Sequence, residues 1–241
     1  MAPLLYEEAC LQVQEGGFDP RFPSPRLDAT PAFVDTVRKQ SVNGPMSDPV
    51  LTVAESLKDR ARAALGSRNL ILVGLMGAGK SSVGRIVAHQ LGIPFVDSDA
   101  EIEKVSRMSI SELFAAYGEE EFRALESRVM KRLLKNGPRV VSTGGGAFIN
   151  DRTRKHIKRG GLSIWLKADL DVLWERVSKR DTRPLLKTEN PRQTLENLMN
   201  ARYPIYELAD LTVLSRDVRK ELMAEEVLKA VVDGRTESAA G

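Results

Sequence analysis

Apolar residues come in short runs along this chain, and each run is followed by a stretch where they recur every three or four positions. Residues 69–73, Asn-Leu-Ile-Leu-Val, are almost wholly apolar, which predicts a strand buried on both faces. Residues 80–91 switch to helical spacing. A short strand is expected at 94–96, ending at Asp97, with short helices over 100–117. Residues 119–135 carry Phe122, Leu125, Val129 and Leu133 on one stripe of an amphipathic helix. Strand 139–142 runs into glycines, and a helix covers 150–159. Strand 163–166, helix 169–179, a long helix over 193–208, strand 211–214 and a helix to about 232 complete the pattern. Five short apolar strands separated by helices predict an α/β fold, a parallel sheet covered on both faces. No internal repeat interrupts it.

The flanks read differently. Residues 1–46 hold six of the twelve prolines, and the run Asp-Pro-Arg-Phe-Pro-Ser-Pro-Arg at 19–26 suits neither a helix nor a central strand. A flexible extension is expected there, and Met46 is a candidate second translation start. Residues 47–67 read as a leading helix, with Val50, Val53, Leu57, Ala61 and Ala64 at helical spacing and Gly66 as its stop. The α/β domain then spans 68–233, and 234–241 reads as a frayed tail. Within the domain, 181–192 is a charged loop bounded by Pro184 and Pro191.

Composition narrows the function classes. The 241 residues are 42% hydrophobic and 29% charged, ordinary for a globular chain. A net charge of +3 makes no large positive field, so binding nucleic acid through bulk charge is not expected. The longest uncharged stretches, 69–79 and 140–150, are shorter than the roughly 18 residues of a membrane span. The N-terminus lacks the basic and apolar regions of a secretory signal, and a cytoplasmic monomer is expected. Cys10 is the only cysteine, so there is no internal disulfide, and His89 and His156 match no metal or triad spacing.

The strongest chemical signal is Gly74-Leu-Met-Gly-Ala-Gly-Lys-Ser81, which fits G-x-x-x-x-G-K-[ST] between a strand and a helix. Its glycines let the backbone wrap and aim N–H groups at phosphates. Lys80 can reach the β- and γ-phosphates, and the Ser81 hydroxyl can ligate Mg²⁺. Asp97-Ser98-Asp99 ends the second strand, where ligands bind in open α/β sheets. Those carboxylates suit a water-bridged Mg²⁺ and a hydroxylated substrate, and equally Ser98 or Asp99 could serve as the N-cap of the next helix. Thr143-Gly-Gly-Gly146 follows the third strand and offers unobstructed backbone N–H groups, or a plain turn. Arg123, Arg183 and Arg202 have forks suited to carboxylates and phosphates, but each taken singly also reads as a solvated arginine.

Together these pieces resemble the shikimate kinase family over residues 68–233. The P-loop at 74–81, Asp-x-Asp at 97–99 and Phe122-Arg123 match in order. So do the glycines at 144–146, Arg-Pro-Leu-Leu at 183–186 and Arg-Tyr-Pro-Ile-Tyr at 202–206. The extension 1–46 has no counterpart. The resemblance implies transfer of the ATP γ-phosphate to the 3-hydroxyl of shikimate and a sheet of order 2-3-1-4-5. It assigns ATP to Gly77, Ala78, Gly79, Lys80, Ser81, Ser82 and Arg183, with Mg²⁺ on Ser81 and Asp97. It assigns shikimate to Asp99, Arg123, Gly145, Gly146 and Arg202. Catalysis would fall to Lys80, Asp99 and Arg183, the last on a mobile lid. Arg176 and Arg180 are alternatives for contact with adenine.

Overall fold

The computed structural model of the chain describes residues 56–179, 186 and 188–239, with side chains as far as 234. Helix α1 (Leu57–Leu65) leads to strand β1 (Asn69–Val73), helix α2 (Lys80–Leu91), strand β2 (Phe95–Asp97), helix α3 (Ser98–Ser106) and helix α4 (Ile110–Lys135). Strand β3 (Val140–Ser142), a 3₁₀ turn (Ala147–Ile149), helix α5 (Asp151–Gly160) and strand β4 (Gly161–Lys167) follow. Helix α6 (Leu170–Ser178), helix α7 (Pro191–Tyr206), strand β5 (Leu211–Leu214) and helix α8 (Lys220–Ala239) complete the chain. All four strand pairings are parallel, and the order is β2-β3-β1-β4-β5, as expected.

The centre of the sheet explains where a ligand must sit. Leu70, Ile71, Leu72 and Val73 of β1 are fully buried. Burying each such side chain contributes about 1.5–3 kcal/mol, so β1 is firmly held. Its C-terminal end, flanked by β3 and β4, launches the P-loop. Order reverses between β1 and β3, and the crevice at such a point collects ligands in parallel sheets. Helices α1, α2 and α8 pack together, and α4 packs against both α3 and α5.

Several boundaries differ from the sequence reading for local reasons. Helix α3 begins at Ser98, directly after β2, because Asp97 is its N-cap and accepts from the Asp99 N–H. Helix α4 has a capping box, Ser109 with Glu112, and a break at Gly118, where φ is +80°. That break coincides with the expected change of helix near 118. Pro191 stands at the first turn of α7 behind the N-cap Asn190, so Arg192 belongs to the helix rather than the charged loop. Arg192 pairs with Asp171 at 2.6 Å. Helix α8 runs on to Ala239, past Gly234, because this glycine is a contact rather than a stop. A Cβ there would lie 2.6 Å from Leu211 Cδ2. The N-terminal extension, the first residues of the leading helix, and the loop residues 180–185 and 187 lie outside the described residues. So does Arg183. Among the described residues no helix is long and apolar enough to cross a membrane.

Candidate active site

The P-loop wraps as its glycines predict. Gly74, Gly77 and Gly79 have φ of +137°, +83° and +91°. Gly77 has a second reason to lack a side chain, since a Cβ would sit 2.9 Å from Val177 Cγ1 of α6. Gly79 is the N-cap of α2 and offers no side-chain acceptor, which leaves the helix's first N–H groups to the loop's concave side. Lys80 is buried, and its ammonium donates to Gly74 O at 2.8 Å and Leu75 O at 2.9 Å. Ala78 is buried within the loop, and its carbonyl accepts from Ser215 Oγ at 3.0 Å. Arg176 braces the same loop from α6, donating to Gly77 O at 3.2 Å, Ser215 Oγ at 3.0 Å and Arg216 O at 2.6 Å. Arg180, the other arginine considered for adenine, lies outside the described residues.

Ser81 and Ser82 follow on the first turn of α2. Ser81 Oγ donates to Asp97 Oδ2 at 2.7 Å and lies 3.0 Å from Ser142 Oγ. The cap of α3 is thus Asp97 itself rather than Ser98 or Asp99: one of its oxygens caps the helix and the other accepts from the P-loop hydroxyl. This cluster of hard oxygen donors, one a carboxylate, suits Mg²⁺, which is commonly bound by one or two carboxylates plus water and phosphate. Among the described residues no group of three or more His, Cys, Asp or Glu side chains could hold a metal by itself.

Beside the P-loop, the glycine triplet after β3 is a close-packed platform. Gly144 N–H donates to the buried Ser98 hydroxyl at 3.0 Å. A Cβ on Gly144 would meet Asp99 Oδ1 at 2.4 Å, so the Asp99 carboxylate rests on this glycine. Burial, then the neighbouring Asp97 charge, raises the Asp99 carboxyl above the usual range, and Lys80 opposes the rise. Arg202 Nη1 donates to Gly145 O at 3.3 Å, and the Tyr206 hydroxyl donates to the same oxygen. Tyr206 is fully buried, and that burial pushes its hydroxyl up to about 12. The Arg123 guanidinium covers Gly146, where a Cβ would lie 2.3 Å from Nη2 and 2.5 Å from Nη1. Asp99, Arg123 and Arg202 thus converge on three consecutive glycines. Loop residues from β3 and helices α3, α4 and α7 meet there.

Two carboxylates at this site escape a reading by residue type. Glu126, 1% exposed, accepts from Arg123 Nη1 at 2.8 Å. Burial raises its carboxyl to about 7 against the pull of Arg123, and the Asp99 charge adds to the rise. Glu119 accepts from Arg123 Nη2 at 3.2 Å and Nε at 3.3 Å. Their spacing of three and four residues from Arg123 is the available signal, since such pairs meet on one helix face. A cleft of about 850 Å³ between α4 and α5 adjoins the outer side of Arg123.

The chain is similar to known proteins in sequence and fold. The family model described as shikimate kinase matches residues 76–232. The chain is 83% identical over 195 residues to a shikimate kinase of Rhizobium leguminosarum bv. trifolii, covering 81% of this chain and all of that one. It is 72% identical over 188 residues to a shikimate kinase of Rhizobium meliloti, covering 78% and 98%. Among solved structures it resembles the shikimate kinase from Acinetobacter baumannii in complex with shikimate. That match has a TM-score of 0.67 and 35% identity, over 72% of this chain and 97% of that one. The shikimate kinase from Aquifex aeolicus gives 0.59 and 32%, over 72% and 99%. With the P-loop, the reversed sheet order and the arginine-covered glycine platform in one crevice, the chain belongs to the shikimate kinase family.

Proposed function

We propose that this enzyme transfers the γ-phosphate of ATP to the 3-hydroxyl of shikimate, giving shikimate 3-phosphate and ADP. The observation that carries the reading is the convergence of Arg123, Arg202 and Asp99 on Gly144–Gly146, one loop away from Lys80. Two guanidinium groups over a glycine platform suit a carboxylate, and a carboxylate beside them suits hydroxyl groups. Shikimate carries both.

Phosphoryl transfer is mostly positioning and charge neutralisation. The P-loop N–H groups from Gly77 to Ser82 cradle the phosphates. Lys80 trades its two carbonyl acceptors for phosphate oxygens. Ser81 and, through water, Asp97 would hold Mg²⁺, which when bound neutralises charge on the β- and γ-oxygens. Arg123 and Arg202 fix the ring by its carboxylate, with the Gly145 and Gly146 backbone beneath it. Asp99 orients the 3-hydroxyl, and its raised carboxyl makes it a better acceptor for the proton released as the new bond forms. Arg183 would close over the triphosphate from the segment that precedes α7 and exclude water.

The test is ADP release with and without shikimate, followed by NMR assignment of the phosphorylated carbon. Shikimate-dependent ADP release with phosphate on the 3-oxygen is expected. Equal turnover with gluconate or a nucleoside monophosphate would contradict the proposal.

A further inference from the structure

We propose that Glu119 is a removable internal counter-ion, occupying the Nε/Nη2 edge of Arg123 and competing with the substrate carboxylate for that guanidinium. This rests on the reading that Arg123 receives the carboxylate.

The geometry separates the two carboxylates that touch Arg123. Glu126 is buried and grips Nη1 at 2.8 Å, so it fixes where the guanidinium lies. Gly146 beneath and the Phe122 ring, 5.1 Å from Cζ, confine it further. Orientation is therefore secured without Glu119. Glu119 has a side chain 69% exposed, and one of its oxygens spans both Nη2 and Nε at 3.2 and 3.3 Å. That edge is one of the two-donor forks by which a guanidinium binds a carboxylate most strongly. Glu119 is also the first residue beyond the Gly118 break, where φ is +80°, so it opens a new helical segment rather than continuing the previous one. Nothing lies within 4 Å of where a Gly118 Cβ would be, which leaves room for this corner of the chain.

Charge count gives the competition its sign. With Glu119 engaged, Arg123 is paired with two carboxylates, Glu126 and Glu119. An incoming carboxylate then meets a guanidinium whose outer edge is already compensated. When Glu119 swings into solvent, the substrate carboxylate takes its place and the count is unchanged. The exchange is easy because exposed ion pairs are weak. Its cost appears in substrate affinity and not in the chemical step, because Glu119 makes no contact with the transferring group. Glu119 thus acts through Arg123, as a competitor of the substrate carboxylate and not as a catalytic residue.

The experiment is steady-state kinetics of the full chain carrying Glu119→Gln or Arg123→Ala, at about 0.05 M and about 0.5 M salt. Glu119→Gln is expected to lower the KM for shikimate about 2- to 5-fold with kcat unchanged, and the gain should shrink at the higher salt. A destabilised or misfolded variant does not bind its substrate more tightly. A KM that stays level or rises in Glu119→Gln, while Arg123→Ala raises it strongly, overturns the counter-ion role and leaves the site reading intact. A shikimate KM unaffected by Arg123→Ala overturns both.

Discussion

Gly146→Ala adds one methyl group and tests the site more cleanly than removal of a charged residue. Gly146 has φ −101° and ψ −14°, which alanine adopts without strain. The added Cβ would lie 2.3 Å from Arg123 Nη2, 2.5 Å from Nη1 and 2.6 Å from Cζ. Ordinary contact between such atoms is about 3.5 Å, so the guanidinium must retreat by about 1 Å. It sits at the end of a flexible side chain, so the fold can accommodate the move, and Tm should fall by no more than about 4 °C. The site cannot accommodate it. Retreat strains the 2.8 Å bond to Glu126 and withdraws the donors from the carboxylate position. Losing a charged hydrogen bond costs about 1.5–3 kcal/mol, which predicts a drop of roughly 10- to 150-fold in kcat/KM for shikimate. The ATP KM should hardly move. A coupled ADP assay with each substrate varied in turn reads both constants. A kcat/KM for shikimate within about twofold of the parent, or an equal penalty on ATP, would refute the reasoning.

Lys80→Ala should cut turnover by roughly 10²-fold or more while the protein still folds, as for loss of one transition-state donor. Some loss of Tm is expected too, because Lys80 ties Gly74 O and Leu75 O together. Near-normal kcat in the folded variant would remove Lys80 from the mechanism. Arg183→Ala should lower kcat more than it raises the shikimate KM, and a pure rise in the ATP KM would make Arg183 a nucleotide clamp. The Glu126 carboxyl is raised from 4.5 to about 7, so its contribution to stability is whole below about pH 4.5 and lost as pH rises through 7. Relative to Glu126→Gln, the parent should lose up to about 3 kcal/mol between pH 5 and pH 8, seen as a Tm difference that moves in the variant's favour. A constant Tm difference across that range would contradict the assignment.

The P-loop is legible in the sequence because its function lies in backbone geometry, which glycine spacing dictates. The parallel sheet is legible because fully buried strands are continuous apolar runs, as in β1. Arg123 and Arg202 are recognisable as motif members, yet their convergence depends on how α4 and α7 pack against the loop after β3. No spacing encodes that. Glu126 is hidden because a glutamate on an amphipathic helix reads as solvated, although it adjoins the buried stripe of Leu125 and Val129. Proline and glycine cause the boundary differences. Pro191 starts a helix where proline also ends loops, and Gly234 serves close packing where glycine also stops helices. Ser98, read with Asp99 as a candidate cap, instead holds the Gly144 N–H, a contact between residues 46 positions apart.

The most direct test of the account compares shikimate with its carboxamide, which keeps the ring and hydroxyls but loses the charge. The measurement is kcat/KM for both compounds with the parent enzyme, Arg123→Ala and Arg202→Ala, read as a double-mutant cycle. If the two arginines hold the carboxylate, each substitution costs roughly 10- to 150-fold with shikimate. With the carboxamide, which the parent already handles poorly, it costs little more. If the arginine substitutions cost the same with both compounds, the carboxylate is bound elsewhere and the site as described is wrong.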